Sequence, residues 1–536
     1  MKKLKLVCVA IAMACATPTL AGGLLTNTNQ HVAFNRMMSR EASIGIDGVY
    51  YNPAGVVFMG EGHHLAINWQ LAFQTRTINN DYALFTNNVN NPITPRDFKG
   101  TAFAPVIPSF QYAYNKGKWS FQASFALTGG GGKCTFDDGL GSFEKIVAET
   151  AIAACGLAGV VDQTLGNTLG QPGMEMFTSD QAFGKTGKYS FNSYMHGRQY
   201  YYGLSVGAAY KFCDNFSAFL GVRGVYALTN YYGYVENINV GNMPLYKVLD
   251  PTKESSANIE LSCDQSGVGF TPIIGVDYKT GRWNFSAKYE FKTRIRLKNK
   301  SVNQTPSIGN LPANLANQMT GILTAKYQQA GLPLEQAKQQ AENTTNAVLN
   351  DPTVGATMMG LKTQFDQKLN KAIGEYEDGK KIAGDIPAYL ALGVGYSPVD
   401  AVRVNVGFHW FDDKNATSYN NRNKELKRGT LEYNAGVEVD VNKKITLSTG
   451  WQNTNYGLSD EYMDDKSFVV SSNSVAIGGV YHINKKMDLN VAYFHTFYQH
   501  KKTTETVQLT ADRSLNYSSD YTRNNNVFAV GLDINF

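Results

Sequence analysis

From residue 63 to its last residue the chain keeps one rhythm, with apolar side chains at every second position and small or polar ones between them. The end shows it most clearly. Phe528, Val530, Leu532, Ile534 and Phe536 alternate with Ala529, Gly531, Asp533 and Asn535, and the phenylalanine is the final residue. A period of two sustained over about 9–11 residues is what a membrane β-strand needs, one face in lipid and the other in a lumen. Leu65, Ile67, Trp69, Leu71 and Phe73 repeat it. So do segments 119–127, 200–212, 216–228, 268–278, 283–291, 386–396, 402–410, 431–441, 445–451, 475–483 and 487–493, with a less regular strand running from Thr101 to Tyr114. The total is about fourteen, an even number as single-chain bacterial barrels require.

The connections fall into two classes. Short polar turns recur after every second strand, at 115–118, 213–215, 279–282, 398–400, 442–444 and 484–486, while the other ends carry long stretches, notably 135–197 and 300–385. Short periplasmic turns opposite long outer loops are the asymmetry of outer-membrane barrels, and they put both termini on the periplasmic side. Within the long loops, 143–161, 311–323 and 354–369 have apolar residues near helical spacing. Such helices form either a capture surface for ligand or a lid that packs on itself. The expected fold class is thus all-β, a transmembrane antiparallel barrel of about 14 strands with helical extracellular loops.

Before the first strand the rhythm is missing. Residues 31–46 mix apolar and polar positions as a short helix or two would, and 48–60 read GVYYNPAGVVFMG. Pro53 has no backbone donor and biases Asn52 away from the helical region, and the glycines interrupt any period. An apolar, irregular segment ahead of a strand series reads as a hatch (plug) in the lumen. The expected domains are a signal peptide at 1–21, the hatch at 22–62 and the barrel at 63–536.

The signal peptide has Lys2, Lys3 and Lys5 ahead of an apolar run at 6–16 and the small-residue site Thr19-Leu20-Ala21. Export of a barrel implies the bacterial outer membrane, with outer-membrane lipid and the barrel-assembly machinery as partners and a monomer as the expected state. No later stretch approaches about 20 apolar residues, which excludes a helical membrane protein. Net charge is +5 with no dense basic stripe, which excludes nucleic acid as a partner. Cys8 and Cys15 leave with the signal peptide. Cys134, Cys155, Cys213 and Cys263 lack metal-ligand spacing, and Cys134 and Cys155 are either bridged or buried unpaired.

Catalysis lacks its parts. His409, Glu432 and Glu438 fall on inward faces, but no serine elbow or metal spacing accompanies them, so the chain reads as no enzyme, with no cofactor. His63 and His64 begin the first strand at the interface and provide no axial pair for haem. Arg223, Lys288, Glu290, Lys292, Arg294, Arg296 and Arg403 are all placed inward by strand parity. Arg223 is the candidate for a ligand carboxylate, because its strand carries no acid before Glu236. Burying about fifteen methylenes at ~0.8 kcal/mol each outweighs one charged head group, so an apolar pocket is expected, with Phe34, Met37 and Met38 of the hatch as lining.

The string VYYNPAG, with Asn52, Pro53 and Ala54 at its centre, resembles the plug motif of the FadL family. The resemblance implies a fourteen-stranded barrel closed by an N-terminal hatch. It also implies transport of long-chain fatty acids or other hydrophobic compounds, aromatic hydrocarbons included. The outer loops are larger than the family's, and Met37-Met38-Ser39-Arg40 before the motif is unusual, which leaves the ligand open among a fatty acid, an aromatic hydrocarbon, a haem-like ring and a bile-type lipid. A structural or adhesin barrel and a water-filled porin are the alternatives of other classes. A hydrophobic ligand avoids water by leaving sideways, which requires a place where wall pairing fails at low cost. Gly129, Gly130, Gly131 and Gly132 form the only run of four glycines and follow the third strand directly. At ~3.3 Å per residue and a tilt near 45° they stand roughly 20–25 Å above the periplasmic turn. The family resemblance implies release through a kink there; the plain alternative is that the glycines start the outer loop.

Overall fold

The computed structural model describes residues 26–510 and 513–536, and in it fourteen strands close into one antiparallel barrel. They are β1 (Gly62–Tyr82), β2 (Arg96–Lys116), β3 (Trp119–Phe136), β4 (Tyr189–Cys213), β5 (Phe216–Val240) and β6 (Ile259–Thr280). Next come β7, in two pieces (Trp283–Glu290 and Arg296–Gln304), and β8, also in two (Lys381–Ala383 and Tyr389–Val399). The series ends with β9 (Val402–Phe411), β10 (Thr430–Asn442), β11 (Ile445–Asn455), β12 (Ser472–Asn484), β13 (Met487–Tyr498 and Lys501–Thr510) and β14 (Arg513–Asn535). β1 against β14 closes the wall, in unbroken register from His64 opposite Asn535 to Tyr82 opposite Tyr517. The signal peptide, with Cys8 and Cys15, lies outside the described residues.

The wall is polar within and apolar without. Trp69, Leu204, Leu220, Phe270, Val491 and Phe528 are exposed on the outer face, while Asn68, Gln70, Gln111, Gln122 and Ser217 are buried on the inner one. That inversion of a soluble protein is the surface of a bacterial outer-membrane barrel. The strands outrun the bilayer. β4 and β5 have 25 residues each, and the alternating segments in the sequence are only their lower, lipid-facing parts. Above the bilayer both faces meet protein or water, and the pattern fades.

β7 departs from the expected parity. Lys288 and Glu290 do point inward and are buried. The strand then breaks at 291–295, and its register against β6 slips by one residue, from Ile273 opposite Glu290 to Ser266 opposite Lys298. A slip of one exchanges the faces. Ile295, Leu297 and Asn299 are therefore buried, whereas Arg294 and Arg296 are exposed, Lys292 is partly buried at the break, and Arg296 reaches Asp385 at 2.8 Å.

The hatch begins with α1 (Val32–Met37), whose first turn is capped by His31, Nδ1 accepting from the Ala33 N–H at 2.9 Å. Met38, at φ 62°, ends it. The 48–60 segment does contain one helical turn, α2 (Gly48–Tyr51), stopped by Asn52 ahead of Pro53, and a 3-10 turn at Gly55–Phe58.

Five helices cover the outer mouth: α3 (Gly141–Leu169), α4 (Tyr246–Leu249), α5 (Leu311–Gln329), α6 (Leu334–Leu349) and α7 (Pro352–Ile373). Contrary to the sequence expectation, α3 is long and apolar enough to cross a membrane. It lies instead over the mouth, burying Phe143, Val147, Ala151, Val161 and Leu165 in the loop core. Its start is tied to the barrel rim. The Ser142 N–H donates to Asp465 at 2.8 Å, and Glu144 accepts from Asn88 at 2.9 Å, from Tyr189 at 3.0 Å and from Arg96. α6 escaped the sequence reading because only Ala337, Ala341 and Val348 give it an apolar stripe. Cys134 and Cys155 are both free thiols.

Just after α7, Glu375 is fully buried, and among the described residues neither carboxylate oxygen has a hydrogen-bond partner. Burial pushes its carboxyl up to about 8. The folded loop then holds a proton that the unfolded loop releases near 4.5, so the cap is most stable below that pH and weakens as pH rises through about 8. Amide protection in the 300–385 loop, taken relative to the intrinsic exchange rate at each pH, should fall across that window, and Glu375→Gln should remove the fall. An unchanged pH profile in that variant would place the effect elsewhere.

Candidate functional site

The hatch carries irregular backbone into a space where its own carbonyls have no ladder, and the wall supplies the donors. Ser109 and Gln111 of β2 both donate to the Gln30 carbonyl at 2.7 Å. Gln122 donates to Pro53 O and Ser217 to Ala54 O, each at 2.7 Å, while Asn115 reaches Val56 O at 2.8 Å and Asn284 reaches Ala42 O at 2.9 Å. Each such bond contributes about 0.5–1.5 kcal/mol net, and each would cost more if left unmade. Asn52 works at both ends. Its Nδ2 donates to Asp277 at 2.6 Å, and its Oδ1 accepts from the Gly55 N–H at 3.2 Å.

Charged residues fasten the other side of the hatch. Glu438 of β10 accepts from Arg36, from Arg40 at 3.2 Å and from Arg403 of β9 at 3.3 Å. Arg40 also binds Asp47 at 2.7 and 3.0 Å, and Arg403 forks onto Asp440 at 2.6 and 2.8 Å. Three guanidinium groups thus meet three carboxylates. Nearby, the buried His409 ring joins Glu41 of the hatch at 2.7 Å to Glu432 of β10 at 2.8 Å. These groups serve as a latch; the His409 nitrogens are both engaged by carboxylates.

Above the hatch lies a cavity of about 290 Å³. Thr26, Asn27 and Asn29 form part of its floor, and its wall includes Ala104, Ile107, Gly130, Gly132, Arg76 and Arg523. Beside it the barrel wall lapses. β2 and β3 pair from Lys116 opposite Trp119 up to Ser109 opposite Ala126, and pairing resumes only at Ala102 opposite Cys134. Residues 103–108 of β2 and 127–133 of β3 have no ladder between them.

Every participant in the lapse suits it. Pro105 and Pro108 bring no backbone donor to a missing ladder. Gly130 at φ 74° and Gly132 at φ 153° take conformations that side chains disfavour. β3 keeps its pairing with β4 through two register shifts, at Leu127/Gly129 and Gly130/Gly132. The hatch covers part of the exposed edge, with Thr26 bridging to Gly129 and the Asn27 N–H donating to Thr128 O at 2.9 Å. On the outer side Trp69 donates to Pro105 O at 2.8 Å, and Phe103 and Val106 face the bilayer. The lips remain close, since a Cβ on Gly132 would lie 3.6 Å from that of Ala104.

Over most of its length the chain matches a solved FadL homologue from Pseudomonas aeruginosa, covering 96% of this chain and 100% of that one at a TM-score of 0.57 and 14% identity. The fold is FadL-type. The toluene transporter TodX of Pseudomonas putida also aligns, over 98% of this chain and 99% of its own, at a TM-score of 0.47 and 13% identity. No protein-family model and no curated protein sequence matches. At such identities the likeness concerns the FadL fold, and the site must be argued from its own geometry.

That geometry redistributes the sequence candidates. Asn52, Pro53 and Ala54 sit in the hatch turn against Asp277, Gln122 and Ser217. Gly129, Gly130, Gly131 and Gly132 lie within β3 itself, at the lapse, rather than at the start of a loop. On its own strand Arg223 has no acid before Glu236. The acid comes from β7, where Glu290 takes both prongs at 2.6 and 3.0 Å, with Lys288 adding a bond at 2.9 Å. Packed against Tyr50, Arg223 is part of the hatch seat. Phe34, Met37 and Met38 are buried, Phe34 and Met38 against Tyr50 and Tyr51 in one cluster, and none of the three lines the cavity. The cavity's own arginines, Arg76 and Arg523, went unnoticed because they lie near opposite ends of the chain.

Asn52→Ala should leave Asp277 with Asn284 as its remaining side-chain donor and cost about 1–3 kcal/mol locally. Amide exchange over 48–58 should rise on the order of ten- to a hundredfold at such a cost, with the barrel still heat-modifiable on gels. Unchanged exchange would mean the side chain does not hold the hatch turn.

Proposed function

We propose that this chain carries hydrophobic small molecules, long-chain fatty acids foremost, across the bacterial outer membrane and releases them sideways between β2 and β3. The observation that carries the reading is the unpaired stretch of wall beside a lumen cavity. A closed barrel in lipid has every reason to pair its strands fully, because unsatisfied backbone costs several kcal/mol per group there. A lapse assembled from prolines, glycines and a hatch strand end is therefore a passage rather than a defect. Lateral exit keeps the ligand out of water, at ~0.8 kcal/mol for each methylene that stays buried.

Capture begins outside. An apolar cavity of about 80 Å³ lies between α3, α4 and α5, lined by Ala154, Leu157, Leu245, Leu249, Leu311 and Leu315. A ligand gathered there is close to the barrel mouth. From the deeper cavity it reaches the lapse with only the Thr26 and Asn27 contacts in its way, so the charged latch below can stay closed. The fatty-acid part of the reading follows the family resemblance; the lateral path follows the wall.

A staple across the lips tests the path. Ala104→Cys with Gly132→Cys, in a Cys134→Ser background, brings two Cβ positions 3.6 Å apart, within the span a disulfide bridges. Uptake of a hydrophobic ligand should stop on oxidation and return on reduction. Uptake at the wild-type rate by both the oxidised and the reduced forms would send the ligand elsewhere.

A further inference from the structure

The deeper cavity holds two arginines that face each other across the seam of the barrel. Arg76 of β1 and Arg523 of β14 are register partners, and both line the cavity. Directly opposed side chains on neighbouring strands stand about 4.5–5.5 Å apart at Cβ, and like charges so placed destabilise the pair. The same glutamine holds them both: Arg76 Nε donates to Gln74 Oε1 at 3.1 Å and Arg523 Nη2 at 2.7 Å. That amide is neutral and cancels neither charge.

Elsewhere in the lumen arginine charges are matched. Arg36, Arg40, Arg223 and Arg403 each have a carboxylate within ion-pair distance. Among the described residues no aspartate or glutamate lines this cavity, and the Arg523 Nε is buried without a partner. The third cation of the lining, Lys466, has Asp464 at 3.7 Å. Arg523 lies over the Tyr498 ring at 5.4 Å, but neither seam arginine has a carboxylate of the described residues beside it, so the pair is open to an anion from outside the chain. Their forks suit one carboxylate, which accepts two parallel bonds from a guanidinium and leaves lone pairs for a second. From them an apolar wall of Ala72, Ala102, Ala104 and Ile107 leads to the β2–β3 lapse.

We propose that Arg76 and Arg523 clamp the anionic head of an amphiphile, a carboxylate on a hydrocarbon tail, with the tail directed at the lapse. This rests on the transport reading above and narrows it, since a neutral hydrocarbon makes no use of either guanidinium.

The test compares hexadecanoate and 1-hexadecanol binding to the purified protein in a nonionic detergent. Wild type should bind the acid more tightly. Arg76→Gln with Arg523→Gln should weaken the acid by about tenfold or more, the worth of a charged hydrogen bond, and leave the alcohol unchanged. Restoring charge with Arg76→Lys and Arg523→Lys should recover part of the preference, which a merely structural role would not do. Equal losses for acid and alcohol, or an acid affinity indifferent to the substitutions, overturn the clamp while the transport reading stands. If neither ligand binds wild type, the transport reading fails and the clamp with it.

Discussion

Backbone polar groups in a bilayer have no water to turn to, and the rest of this structure answers to that constraint. The wall meets it by closure, with β1 laid along β14 for the length of both strands. Closure encloses a lumen, and the lumen holds a segment that forms no strand with it. The same rule then applies again, one layer further in. The carbonyls of Gln30, Ala42, Pro53, Ala54 and Val56 find a Ser, Asn or Gln reaching in from the wall, and that of Tyr50 finds Lys288. The inward polar residues are the second half of the hatch's hydrogen bonding as well as the lining of a channel.

Charge adds position to that satisfaction. Neutral donors from β2, β3, β5 and β7 seat the hatch, and ion pairs to β9 and β10 bind it on the other side. A buried pair of ions is weak evidence for stability in itself, but removing one member strands the other, at about 3–5 kcal/mol. The Arg36, Arg40 and Glu438 group therefore resists loss of the hatch more than it strengthens the barrel. Such fastening holds the hatch to β9 and β10, away from the cavity lining. It leaves the floor of the cavity lightly held near β3, where the contacts are backbone ones from Thr26 and Asn27.

On that lightly held side the wall relaxes its own rule between β2 and β3, as it also does between β6 and β7 at the break in β7. Between β2 and β3 the unpaired groups are few by construction, because proline has no donor and glycine bends the chain so that β3 keeps its bonds to β4. The remaining edge is met by the hatch inside and by Trp69 outside. Cavity, lapse and seam arginines lie on one short path, and none of them disturbs the latch below.

Alternation along the chain determined the barrel, its strand number and the sidedness of its loops, since a period of two with one apolar face has few other stable outcomes in a bilayer. The hatch was legible as an interruption of that period, and the glycine run as a place where a strand could bend. Parity alone could not see the break in β7, because one extra residue reverses every face beyond it. Nor could it give Arg223 its partner, which belongs to the next strand but one in the wall, 67 residues on. The pairing of Arg76 with Arg523 exists only because the ends of the chain meet at the seam, and no local pattern records a contact that ring closure makes.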